Sequence, residues 1–355
     1  MIGESAPDIS VIIPTHNRRH LLEKTLKNLE KQEIGCPFEV LVVDDGSTDG
    51  TRDVVNRLAG KVSYPLIYLH QDKGGPASAR NMGIGHAGGR LITFTDDDCM
   101  PEPKWLGEIS EAFRDPAVWA VSGPVWSEIP PGVFVHSLLS YSITVSAVDH
   151  FMTSNFSVRR DVAIKIGLFD TRFRDPWFED YDFAYRIRAR GGTIAIVPGA
   201  RVHHPVQYQP FLRYLRKTRF SRYSGLMQLK YPGRGFGREI RGNLKHAGKI
   251  MLILILAAIL PVPWTTPGTR LAILWVAAAF LAARRLQPLL RQLGEYKFSV
   301  RKRDQAAYIL FSWMEGPLRG LYTLLGLWLF TLDEGKRLLT RSGRESMIRL
   351  IRGLS

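Results

Sequence analysis

The chain has 355 residues, enough for one large domain and an appendage, and a formal net charge of +15. Two cysteines, Cys36 and Cys99, exclude a disulfide framework and fit a reducing compartment, and neither has His or Cys neighbours at zinc spacing. The opening MIGESAPDIS has neither a basic nor an apolar region of signal-peptide type, so the catalytic part is expected in the cytoplasm.

Residues 9–14 (ISVIIP) and 38–45 (FEVLVVDD) are short apolar runs of strand type that end in polar, turn-forming residues. Between them, 18–31 carries Leu21, Leu22, Leu26 and Leu29 at the spacing of one helix face. GSTDGT then leads into a second helical stretch, 52–58, and residues 91–99 (LITFTDDDC) form another strand that stops at Asp96, Asp97 and Asp98. Alternating strands and helices predict a parallel sheet covered by helices, with ligands at the carboxyl ends of the strands. Thr15, Asp44 with Asp45, and Asp96–Asp98 all fall at those ends. Clustered carboxylates there suit a hard divalent cation shared with phosphates, or else a solvated acidic turn.

Residues 74–81 (GGPASARN) form a small-residue loop entering a helix, open to close approach of a ligand, with Arg80 as a fixed charge. In FEDYDFAYR, Glu179 and Asp180 open an amphipathic helix, 181–190, where the macrodipole favours ionised carboxylates; helix capping is the alternative. Trp177 precedes this helix and offers an aromatic face on which a flat ligand surface can stack. Residues 193–205 read as one strand ending in His203 and His204, whose side chains should face opposite sides.

From Arg201 to Lys249 there are twelve Lys or Arg against one acidic residue, Glu239. Such a block suits nucleic acid or anionic lipid. The apolar runs that follow favour lipid. Residues 250–269 and 271–283 are uncharged, each near or below the ~20 residues of a spanning helix, and Pro261, Pro263 and Pro267 separate them. Basic flanks predict a membrane hairpin over 250–283 with both ends in the cytoplasm, a buried helical pair being the alternative. The stretch 305–332, interrupted by Glu315, Gly316, Pro317 and Arg319, is expected to be re-entrant or interfacial. Residues 347–354 form a short basic amphipathic tail suited to the membrane surface.

PTHNR, VVDDGSTDGT, GGPASARNMGI, FTDDDC and FEDYDFAYR occur in the order and spacing of family 2 glycosyltransferases, which the chain resembles over about residues 8–207. The resemblance implies a GT-A α/β fold over 1–207 with a mostly parallel central sheet. A basic interfacial segment, 208–249, and a membrane-associated helical region, 250–355, would follow. It further implies an inverting transfer from a nucleoside diphosphate sugar to a lipid-linked or glycan acceptor at the cytoplasmic membrane face. Anionic lipids are expected as partners and nucleic acid is not. The family pattern places Thr15, Asp44, Asp45, Arg80 and Asn81 beside the nucleotide and Asn155 near the sugar. Its DxD motif maps onto Asp96 and Asp98, with Asp97 in the variable middle of this substrate-binding run. A divalent ion, Mn²⁺ or Mg²⁺, would be held by Asp98 and Asp96, with His204, or His203 as fallback, as third ligand. Asp180 would be the general base, with Glu179 beside it. No QxxRW follows Asp180, which speaks against a processive synthase. A nucleotidyltransferase would share the sheet and the aspartates but not the EDYD helix, and a nucleic-acid binder would explain the charge alone.

Overall fold

The computed structural model describes residues 6–127, 151–205, 218–231, 319, 321–325 and 328–329. The chain divides into two compact units, 1–129 with 140–208, and 130–139 with 209–355.

In the first unit, β1 (Ile9–Thr15), α1 (Arg19–Leu29), β2 (Phe38–Asp45), α2 (Thr51–Ala59), β3 (Leu66–Gln71), α3 (Pro76–His86) and β4 (Leu91–Phe94) follow in turn. β5 (Met100–Pro101), α4 (Trp105–Ala112), β6 (Val118–Ser122) and β7 (Val125–Trp126) come next. The unit closes with β8 (Phe156–Arg159), α5 (Arg160–Ile166), α6 (Glu179–Ala189), β9 (Thr193–Ile196) and β10 (Val202–His203). Seven strands form one sheet in the order β3-β2-β1-β4-β8-β6-β9, and β5-β10-β7 form a second. β1 to β4 are parallel neighbours, as the alternating pattern predicts, while β8 runs antiparallel to both β4 and β6. The reversal brings the start of β8 to the carboxyl end of β4, pairing Phe94 with Phe156.

Both faces of the sheet are buried, and the period of two decides which residue goes where. Ile9, Val11 and Ile13 of β1 with Val40 and Val42 of β2 pack under α1, α2 and α4, through Leu22, Leu26, Val55, Trp105 and Ile109. Ile12, Leu41 and Val43 point the other way, into a core with Ile84, Val162, Phe183 and Ile187 of α3, α5 and α6. Gly83 explains how closely α3 lies on β1: a Cβ there would sit 2.5 Å from Ile12 Cγ2.

The predicted single strand over 193–205 is two. β9 belongs to the large sheet and β10 to the small one, because the Pro198-Gly199-Ala200 turn redirects the chain between them. The shift carries His204 to the aspartate cluster.

In the second unit, α7 (Arg222–Lys230) is described, together with helical residues at 319, 321–325 and 328–329. Thr323 Oγ1 donates to the Ser221 carbonyl at 3.2 Å. Among the described residues no helix is long and apolar enough to cross a membrane. The hairpin expected over 250–283, the tail 347–354 and most of the 305–332 stretch lie outside the described residues.

Candidate active site

Three parallel strands deliver polar residues to one edge: Thr15 pairs with Asp44 across β1 and β2, and Ile12 with Phe94 across β1 and β4. Past β4 the chain turns, the Cys99 N–H closing on the Asp96 carbonyl at 3.1 Å. That turn points the three aspartates in different directions. Asp96 stays partly exposed, whereas Asp97 and Asp98 are buried. One ligand atom each from Asp96, Asp98, Cys99 and His204 lies within 4.8 Å of the others. His204 Nε2 is 3.5 Å from Asp98 Oδ1. His203 faces elsewhere, its ring on Trp126 at 4.6 Å between centroids. Two carboxylates and an imidazole are the donors Mn²⁺ accepts, and Mg²⁺ with less use for the imidazole. The Cys99 sulfur is a soft donor, poorly matched to hard Mn²⁺ or Mg²⁺ beside two carboxylates. The residues present therefore fit a divalent ion.

Asp97, expected in the substrate-binding run, makes two contacts within the protein. Its Oδ2 accepts the Thr15 hydroxyl at 2.7 Å, and its Oδ1 takes Arg18 Nη1 at 2.8 Å. The other arm of Arg18 pairs with Asp98. Burial pushes Asp97 up to about 7, against the pull of Arg18. Thr15, expected at the nucleotide, donates its hydroxyl proton to Asp97 and keeps its oxygen lone pairs as acceptors.

Asp44 and Asp45 are likewise engaged. Asp45 accepts Gly74 N–H at 2.7 Å, Gly75 N–H at 3.0 Å and Gln71 Nε2 at 2.7 Å, so it fastens the glycine loop to β2. Gly75 has φ +90°, and a Cβ there would run into the Arg174 carbonyl. Asp44 accepts Ser47 N–H at 2.8 Å and the Tyr68 hydroxyl at 2.7 Å. Neither caps α2, whose cap residue is Gly50; Asp49, just before it, accepts Thr51 N–H at 3.2 Å and the Thr51 hydroxyl at 2.6 Å.

Arg80, expected as a charge facing the ligand, is only 3% exposed. One arm donates to Glu179 at 2.9 Å and the other to Asp96 at 3.2 Å, so the guanidinium joins the DDD turn to α6. Asn81 holds the Phe169 backbone from both sides, at 2.9 Å and 2.8 Å. Asn155 is a buried strut: it accepts Trp105 Nε1 at 2.8 Å and donates to the carbonyls of Pro124 at 3.0 Å and Ala200 at 2.8 Å. Both asparagines shape walls of the site through these bonds.

At α6, Phe178 takes φ +72°, a left-handed conformation rare for an aromatic residue. The kink turns Glu179 inward, to 3% exposure, and leaves Asp180 half-buried at the helix N-terminus. Glu179 Oε2 is buried without a hydrogen-bond partner. Burial, with Glu179 adjoining, pushes Asp180 up to about 8. Asp182 pairs with Arg186 at 2.9 Å one turn on. Trp177 is partly exposed and meets Phe178 edge-on, 6.0 Å between centroids.

Sequence reasoning missed Arg18, Tyr68 and Gln71. Arg18 had a signal, a cation directly after the polar end of β1; the other two lie on β3, whose pattern carries none.

A mainly parallel sheet with an acidic, histidine-bearing cluster at its carboxyl edge and a carboxylate pair on a facing helix is the arrangement of a GT-A fold. The family model "Glycosyl transferase family 2" matches residues 10–174. The succinoglycan biosynthesis protein ExoM of Rhizobium meliloti is 30% identical over 224 residues, 60% of this chain and 72% of that protein. The glycosyltransferase AglE of Haloferax volcanii is 31% identical over 172 residues, 46% of this chain and 56% of that one. A mannosyltransferase structure from Pyrobaculum calidifontis, in complex with GDP-Man and Mn²⁺, shares the fold. Its TM-score is 0.54 at 22% identity, covering 90% of this chain and 88% of that one. The chain belongs to glycosyl transferase family 2. It spans little more than half the length of AglE.

Proposed function

We propose that the protein transfers a sugar from a nucleoside diphosphate sugar to a hydroxyl of a lipid-linked or glycan acceptor, with inversion at the anomeric carbon. The observation that carries this reading is the Arg80 bridge. It ties Asp96, which lies in the donor cluster with Asp98 and His204, to Glu179, the neighbour of Asp180. A leaving-group site and a base joined through one buried guanidinium are what a direct displacement needs.

Asp180 takes the proton of the acceptor hydroxyl as its oxygen bonds to the anomeric carbon and the bond to the diphosphate breaks. Its raised pKa makes it a stronger base than an ordinary aspartate. A divalent ion, Mn²⁺ or Mg²⁺, held by Asp96, Asp98 and His204 would neutralise charge on the departing diphosphate. Asp44 and Asp45 hold the walls of the nucleotide cleft in shape, and Trp177 offers a face to the acceptor.

The succinoglycan role in the name of the ExoM relative supports a glycan acceptor. We infer a GT-A domain over 1–207, a basic interfacial segment over 208–249 and a membrane-associated region over 250–355, acting at the cytoplasmic membrane face. Supporting this, Leu321, Leu324, Leu325, Trp328 and Leu329 are exposed at the spacing of one helix face.

Incubating the full chain with a panel of nucleoside diphosphate sugars, Mn²⁺ or Mg²⁺ and isolated membranes tests the proposal. Release of nucleoside diphosphate with a product of inverted anomeric configuration is expected. A product that retains a nucleoside monophosphate would instead make the protein a nucleotidyltransferase.

A further inference from the structure

Asp97 and Asp98 are adjacent and buried, with Asp96 directly before them. Carboxylates so placed repel one another, and burying them without a cation opposes folding strongly. The turn after β1 supplies the cation. Arg18 divides its planar fork between two residues, Nη1 to Asp97 Oδ1 at 2.8 Å and Nη2 to Asp98 Oδ2. The remaining oxygens face other groups: Asp97 Oδ2 accepts the Thr15 hydroxyl at 2.7 Å, and Asp98 Oδ1 lies 3.5 Å from His204 Nε2.

Asp97 is therefore held from both sides and belongs to Arg18 and Thr15. Asp98 is shared, one oxygen toward Arg18 and the other toward the cluster with Asp96 and His204. The Arg18 side chain is 34% exposed, so it can swing toward water without opening the core.

We propose that Arg18 is the resident counter-cation of the metal cluster: it keeps Asp97 and Asp98 folded into place before a divalent ion arrives, and competes with that ion for Asp98. This inference rests on the metal role proposed above for Asp96, Asp98 and His204. Two cations on one carboxylate repel, so Arg18 weakens ion affinity while keeping the site preformed. The ion then meets an assembled cluster rather than a collapsed one, and leaves it without unfolding the edge of the sheet.

The test compares the wild-type full chain with Arg18→Gln, Arg18→Lys and Asp98→Asn, reading thermal midpoint and Mn²⁺ affinity by calorimetry rather than turnover. Without metal, Arg18→Gln is expected to melt about 10 °C lower, the scale of an uncompensated buried charge. Saturating Mn²⁺ should recover the part of that loss that comes from Asp98, and Arg18→Gln should bind Mn²⁺ roughly tenfold more tightly than the wild type. Arg18→Lys, which keeps the charge and loses the fork, should lie between the two in both measurements. It also keeps the comparison open if Arg18→Gln does not fold. Equal Mn²⁺ shifts in wild type and Arg18 variants, or weaker Mn²⁺ binding in the variants, would overturn the proposal. Asp98→Asn separates this failure from failure of the metal site itself. Loss of Mn²⁺ binding there upholds the cluster whatever Arg18 does, and unchanged binding removes both.

Discussion

Arg80 on α3 and Glu179 on α6 form an ion pair at 2.9 Å in which each side chain is 3% exposed, ninety-nine residues apart in the chain. A pair so buried gives modest net stability, but losing one partner strands the other charge. Arg80→Gln is expected to destabilise the protein by about 3–5 kcal/mol in urea unfolding. Arg80→Gln with Glu179→Gln, which removes both charges, should recover a large part of that loss. A double variant no more stable than Arg80→Gln alone would show that Arg80 acts through Asp96 instead.

Asp180 gives the pH dependence. A base must be unprotonated to accept the acceptor proton, so kcat/KM is expected to rise through about pH 8, where burial and Glu179 place this carboxyl. The stability sign is opposite. A carboxyl whose folded pKa lies above its unfolded one loses stability progressively from the unfolded value up to the folded one. Asp180→Asn should therefore melt higher than wild type above pH 8 and show no such advantage near the unfolded aspartate pKa of 3.8. Turnover should fall by about two to four orders of magnitude with donor affinity nearly unchanged. Wild-type turnover in Asp180→Asn would remove the residue from the chemistry.

Asp98→Asn is expected to lose metal-dependent turnover and to weaken binding of the intact diphosphate donor more than that of the bare nucleoside. The comparison, made by calorimetry on the two ligands, places Asp98 at the phosphates if the losses differ. Equal losses would place it elsewhere.

Asn155 predicts a stability effect. Its three hydrogen bonds tie Trp105, Pro124 and Ala200 together across the core. Asn155→Ala removes the partner of the Trp105 indole N–H and of the Ala200 carbonyl, while the Pro124 carbonyl keeps the Val202 N–H at 3.1 Å, a loss of about 2–3 kcal/mol. Denaturant titration should show it, and near wild-type stability would mean that the site relaxes around the vacancy.

Trp328, 61% exposed, heads the apolar face that includes Leu324. Replacing both with Gln in the full chain should weaken binding to anionic vesicles at high salt, where charge contacts are screened over about 3 Å. Binding in low salt should change less, because the basic block between Arg201 and Lys249 supplies it. Equal vesicle binding by wild type and variant at high salt would rule this face out as the contact.

The sequence by itself determined the layout: apolar runs of period two and stripes of period 3.6 located β1, α1, β2, α2, β4 and α6 within a few residues. Strand ends marked the edge where Thr15, Asp44, Asp45 and Asp96–Asp98 gather. These are local signals, and local periodicity is what a chain displays. Partnership is not local. Which aspartate of the DDD run faces His204 and which is tied to Thr15 and Arg18 depends on a turn at Cys99 and on contacts eighty residues distant. The identity of residue 80 suggested a charge for the ligand; the packing of α3 against α6 turned it into the link between two halves of the site. The assignment among His203 and His204 likewise waited on the Pro198-Gly199-Ala200 turn, which splits one apparent strand between two sheets. Residue type fixes what a side chain can do, and only the approach of distant segments decides which carboxylate, cation or ring it does it with.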